Sequence, residues 1–144
     1  CTPIMLRQVR DVCRIARFAT RCDSVLVPEI VSTADAGAQY LGERPWLVKR
    51  RRSSGGLGVR RWRPTDAPLP RGSYLQREIA GASYGASYLS NGNDCRFLGL
   101  AEQLTQPAAD GSAPFRYAGS IAAPTLTAEE TKRFTMLGQG LVEE

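Results

Sequence analysis

Lys49 stands directly before a run rich in glycine and hydroxyl side chains, Arg50-Arg51-Arg52-Ser53-Ser54-Gly55-Gly56-Leu57-Gly58. Glycines at 55, 56 and 58 put no side chain between backbone and ligand, so the chain can turn its N–H groups inward onto an anion. Ser53 and Ser54 add hydroxyl donors, and Lys49 reaches the same anion as a point charge. Such a set suits the di- or triphosphate of a nucleotide. It lacks the Gly-Lys-Ser/Thr ending of a Walker A loop, and the residues after it read as a strand rather than the helix of a dinucleotide fingerprint. The same residues also make an ordinary flexible hairpin turn, and spacing alone does not choose between the two. Lysine is scarce here: Lys49 and Lys132 are the only two among 19 basic residues.

Composition removes several other chemistries. The 144 residues contain no histidine, which excludes Ser-His-Asp and Cys-His mechanisms and the usual zinc sites. Cys1, Cys13, Cys22 and Cys95 form no CxxC pair and no disulfide scaffold, so a reduced, cytoplasmic setting is the default. No apolar run approaches the roughly 20 residues of a membrane helix. A net charge of +5 points to an anionic partner, either nucleic acid or a small phosphate. The first residue is Cys1 and the last, Glu144, reads as part of a helix, so both ends are expected to be cut from a longer chain.

The elements that would hold the lysine and its loop follow from patterning. Met5, Leu6, Val9, Val12, Cys13, Ala16 and Ala19 fall at helical spacing and predict one amphipathic helix over 4–20. Residues 29–32 read as extended, and Thr33 and Asp35 as caps of a short helix to Tyr40. Strands are expected at 45–49, 59–62, 74–79, 84–89, 95–100 and 115–121, with Ser90-Asn91-Gly92-Asn93-Asp94 as a hairpin turn. Residues 63–72 and 105–114 read as loops. Thr127-Ala128-Glu129-Glu130 has the capping-box pattern, and Phe134, Leu137 and Leu141 continue one helical face. Helix, strands, then helix predicts a mixed α/β sandwich.

Taken in order, Trp46-Leu47-Val48-Lys49, the Ser53–Val59 loop, Tyr74-Leu75-Gln76 through Gly81, Leu98 to Gln103 and Phe115-Arg116-Tyr117-Ala118-Gly119 resemble the ATP-grasp superfamily. The likeness is to its predicted ATP-dependent carboligase branch, distantly similar to biotin carboxylase and D-alanine–D-alanine ligase. It covers nearly the whole chain. The resemblance implies an α+β fold of two α/β subdomains with the nucleotide between them. Residues 1–23 would lead in, 24–73 would form a small lid carrying the glycine loop, and 74–144 part of the large subdomain.

In this likeness Lys49 binds the phosphates, Leu47 flanks the adenine, and Ser53, Ser54, Gly55, Gly56 and Gly58 belong to the mobile loop that closes over the phosphates. Gln76 takes the place of a glutamate that accepts from the adenine amino group, which a glutamine carbonyl also does. Arg77 and Ile79 lie on the hinge strand, where backbone groups hold the adenine edge. Ser83 replaces the usual ribose-binding acid, and Arg10 stands where a second phosphate-binding cation is placed. ATP and Mg²⁺ are the implied cofactors. The magnesium ligands are expected beyond Glu144, because Glu129 and Glu130 belong to a helix start. The function implied is the ATP-binding part of a ligase that activates a small carboxylate as an acylphosphate for an amine or similar nucleophile. The piece by itself is expected to be inactive. A membrane is not expected as a partner, and self-association into a homo-oligomer stays open.

Arg50 to Arg52 with Arg60, Arg61 and Arg63 flank the loop and support a competing expectation. They could form a nucleic-acid patch, with Trp46 and Trp62 as stacking faces. A solvated arginine-rich hairpin, or a field that draws in ATP, explains the same residues.

Overall fold

A computed structural model describes residues 10–22, 25–32, 45–63, 68–122 and 125–143. In chain order its elements are α1 (Val12–Ala19), β1 (Ile30–Ser32), β2 (Trp46–Arg50), β3 (Arg60–Arg61), β4 (Ser73–Arg77), β5 (Tyr84–Ser90), β6 (Cys95–Thr105), β7 (Tyr117–Ala122) and α2 (Ala128–Glu143). The strands form two antiparallel sheets, one in the order β1-β4-β2-β3 and one in the order β5-β6-β7. This is an α+β arrangement, as the sequence reading expects.

Alternation along β2 and β4 divides the first sheet into two faces. Val48 sits opposite Leu75, and Val31 pairs with Leu75 from the other side. These three residues and Trp46 form the core cluster, with Trp62 and Leu69 packed against it. Leu75 is fully buried at 0% exposure. Leu75→Ala is therefore expected to destabilise the chain by roughly 2–5 kcal/mol. Urea unfolding checks this, and a loss within about 0.5 kcal/mol, the range of surface substitutions, would place the core elsewhere.

α2 covers the second sheet. Phe134 stacks on Phe97 at 5.2 Å, and the Tyr88 hydroxyl donates to the Phe134 carbonyl at 3.1 Å. Gln139 accepts from the Cys95 N–H and donates to the Asn93 carbonyl, which ties the helix to the β5–β6 turn. The capping box is present: Glu130 N–H donates to Thr127 Oγ1, and Thr127 N–H donates to Glu130 Oε2. Phe18 of α1 reaches the same helix at Gly140, where a Cβ would come within 2.9 Å of its ring.

Three expectations are corrected. A single helix over 4–20 does not run through Asp11, whose backbone is extended (φ −78°, ψ 102°) and whose carboxylate caps α1 by accepting from Cys13 and Arg14 N–H. The boundary at 73/74 would cut β4 from its partners. That strand pairs with both β1 and β2, so the break between sheets falls at 78–83. β6 runs on to Thr105, well past Leu100, because β7 pairs with its second half. The short helix expected at 33–40 lies outside the described residues.

Candidate functional site

Three of the expected nucleotide residues share one face of the first sheet. In the antiparallel register Leu47 lies opposite Gln76, and Lys49 opposite Tyr74. Directly opposite residues project to the same side, so Leu47, Lys49 and Gln76 form one surface behind the core cluster. Leu47 is buried, while Lys49 and Gln76 are half-buried. Burial lowers the pKa of Lys49, since a desolvated ammonium is disfavoured. Among the described residues it has no ion-pair partner.

The glycine loop leaves the end of β2 and folds against the entry to β7. Gly55, Gly56 and Gly58 all have positive φ, at 61°, 71° and 76°. The Gly55 carbonyl accepts from Tyr117 N–H at 2.8 Å. A Cβ on Gly56 would fall on the Phe115 carbonyl oxygen and 2.6 Å from its carbon, so only glycine allows this close approach. Within the loop, Leu57 N–H bonds the Ser54 carbonyl and Ser53 Oγ donates to the Arg50 carbonyl. Among the described residues, the N–H groups of Ser54, Gly55 and Gly56 donate to no other main-chain group. They are donors available to an anion.

The remaining expected residues separate. Arg77 turns to the core side of the sheet, 4.2 Å above the Trp46 ring and 3.1 Å from Glu29 Oε2. Its N–H is engaged by the Glu29 carbonyl, so it does not hold an adenine edge through that donor. Ile79 lies just past β4 and lines an open groove of about 880 Å³ with Pro45, Glu78 and Leu26. Ser83 donates to Gln103 Oε1 at 3.2 Å, far along the chain from the loop. Arg10 is exposed beside the α1 cap. α1 is linked to the loop side by Arg51 Nη1, 4.0 Å from Cys13 Sγ.

Glu78, to which the sequence reading gave no role, and Arg61, which it counted among the flanking arginines, also belong to this face. Arg61 stands opposite Leu47 in the β2–β3 register. It makes a two-point pair with Glu78, Nε to Oε2 at 2.9 Å and Nη2 to Oε1 at 2.7 Å. Glu78 follows Gln76 by two residues, and the period of a strand alone would have placed it on the same side. The hydrogen bonds from Arg61, and then its charge, hold the Glu78 carboxyl below the usual glutamate range. A carboxylate with a lowered folded-state pKa adds stability above its ordinary pKa, and that stability is lost as pH falls through the lowered value. Glu78→Gln should therefore melt below the wild type near pH 7, with the gap closing as pH falls through the lowered carboxylate pKa. Thermal melts across that range test it, and an unchanged gap would show that the pair contributes nothing.

The nucleic-acid expectation loses its stacking surfaces. Trp46 is buried at 2% exposure and Trp62 packs on the core cluster, so neither offers a face to a base. No helix among the described residues is long and apolar enough to cross a membrane. No group of three or more His, Cys, Asp or Glu side chains able to hold a metal is present among the described residues.

A search of curated proteins finds no match to the chain. Comparison with protein families matches residues 18–144 to an ATP-grasp domain. That match takes in the lysine, the glycine loop, both sheets and α2. The chain belongs to the ATP-grasp family, whose members bind ATP and act in general as ligases.

Proposed function

We propose that this chain binds ATP on the Leu47–Lys49–Gln76 face and that the protein activates a small carboxylic acid with it. The observation that carries the reading is the half-buried Lys49 beside a loop whose Ser54, Gly55 and Gly56 N–H groups have no main-chain partner. Lys49 and these amides meet the β- and γ-phosphates and offset their charge without reorganising, which is the main protein contribution to phosphoryl transfer. Leu47 lies against the adenine, and the Gln76 side-chain carbonyl accepts from its amino group. Ile79 closes the adenine end through its backbone. Ser83 and Arg10 keep the ribose and second phosphate roles only as what the family likeness implies, since both lie apart from the Leu47–Lys49–Gln76 face.

In the reaction, a carboxylate oxygen attacks the γ-phosphorus. The bond to the bridging oxygen breaks, and ADP leaves with its electron pair. An amine nitrogen, or a similar nucleophile, then attacks the acyl carbon, loses a proton and expels phosphate. Nothing in this scheme assigns a metal ligand to the described residues.

Titration calorimetry with ATP, ADP and AMP tests the binding half. ATP and ADP are expected to bind at least about tenfold more tightly than AMP, the value of one charged hydrogen bond. AMP binding as tight as ATP would remove the phosphate role of the loop.

A further inference from the structure

Lys49 and Lys132 carry the only side-chain amines of the 144 residues. Lys132 is exposed on α2, whereas Lys49 is half-buried on the face of the first sheet. Among the described residues no carboxylate pairs with Lys49. Burial disfavours its ammonium and raises the share of neutral amine, the form that attacks a carbonyl carbon. Desolvation is one of the ways in which a lysine becomes a nucleophile.

The surroundings select one class of acyl donor. The glycine loop leaves the end of the strand that carries Lys49, and its Ser54, Gly55 and Gly56 N–H groups donate to no main-chain group among the described residues. The Arg51 guanidinium lies 5.6 Å from the centre of the ring of Tyr74, the residue opposite Lys49, and adds a second positive charge. We propose that Lys49 is also an acylation site, at which an acyl phosphate held through its phosphate by these groups transfers its acyl group to Nζ. The lone pair of the neutral amine attacks the acyl carbon, and the bond from that carbon to the phosphate oxygen breaks. Phosphate leaves with the electron pair and takes up the proton that the nitrogen loses, so an amide remains on Nζ. The loop amides stabilise the leaving phosphate and hold the donor beside the amine. Acylation removes the charge of Lys49 and with it the contact to the phosphates of ATP. The source of the donor and this loss of ATP rest on the ligase reading above, whereas the reactivity of Lys49 does not need ATP.

Mass spectrometry of the full chain tests it, with acetyl phosphate as donor, p-nitrophenyl acetate as a donor without phosphate, and Lys132 as the internal reference. The ratio of labelling at Lys49 to that at Lys132 is expected to be at least about tenfold higher with acetyl phosphate than with the ester. That is the worth of one charged hydrogen bond to the phosphate. Saturating ATP should suppress acetyl phosphate labelling at Lys49 and leave Lys132 unchanged. ATP affinity, read by calorimetry, should fall in proportion to acetylation at Lys49. Lys49→Arg keeps the charge and has no amine to acylate, so its ATP affinity should survive the same treatment. If Lys49→Arg does not fold, the labelling ratio in the wild type carries the test. A ratio no higher with acetyl phosphate than with the ester would overturn the inference, because burial alone would then set the reactivity. ATP binding without a preference for acetyl phosphate at Lys49 would sink the acylation site and leave the nucleotide reading standing. Preferential labelling of Lys49 in a chain that does not bind ATP would do the reverse.

Discussion

Lys49→Met is expected to lower ATP affinity roughly ten- to a hundredfold, the worth of a hydrogen bond between charged groups. The same variant should melt higher than the wild type. Lys49 is half-buried, and desolvation lowers its pKa, so the folded state disfavours the charged ammonium. The sign follows from linkage. Below the lowered pKa the folded chain bears the full cost of the charge, and above the ordinary lysine range both states are neutral and the cost vanishes. Methionine keeps the apolar stem and removes the charge. The expected gain is on the order of 1 kcal/mol at neutral pH, about 3 °C for a chain of this size. It should shrink as pH rises through the lysine range. Calorimetry and thermal melts read the two effects separately. A variant that keeps ATP affinity would show that Lys49 does not meet the phosphates.

Gly56→Ala should have the largest effect of any single methyl added to the loop. Its Cβ would fall on the Phe115 carbonyl oxygen, and the obstacle is backbone, which cannot rotate aside as a side-chain end does. The loop must therefore lift from β7. The Tyr117 N–H would lose the Gly55 carbonyl as partner and exchange its hydrogen faster. Gly55→Ala is the control. It shares the positive φ, at 61°, but nothing lies within 4 Å of its added Cβ. It should cost only the left-handed backbone penalty, about 1–2 kcal/mol, and leave the Tyr117 amide protected. ATP affinity should fall at least about tenfold in Gly56→Ala, a loss of roughly 1.4 kcal/mol, and much less in Gly55→Ala. Equal exchange at Tyr117 in both variants would mean that the docked loop has no special need for glycine at 56.

Much of the site was legible because it is local. The two-residue period of a strand puts Leu47 and Lys49 on one side, and the glycine run announces a loop with positive φ. The capping box at Thr127–Glu130 and the Asn91-Gly92 turn are equally short-range signals, and both elements form where expected. What periodicity does not carry is the partner of each strand. That Gln76 meets Leu47 depends on the β2–β4 register, and so does the fact that Arg77 faces Trp46 instead. The Arg61–Glu78 pair joins residues 17 positions apart through a third strand, and the contact of Gly56 with Phe115 joins two sheets. Trp46 and Trp62 illustrate the reverse error. Interleaved with arginine they read as stacking faces, yet their apolar area is better used in the core, where both are packed.

The positive charge noted in the sequence thus acquires a place, the lysine and loop on the sheet face, with Arg51 set over the ring of Tyr74 opposite Lys49.

Amide hydrogen exchange with and without ATP addresses the central claim most directly, because it reads the backbone donors themselves. Saturating ATP is predicted to slow exchange at Ser54, Gly55 and Gly56, and at Ile79 past the end of β4, with the loop protection lost in Lys49→Met. Unchanged exchange throughout the loop, with protection confined to the Arg60–Arg63 edge, would contradict the account.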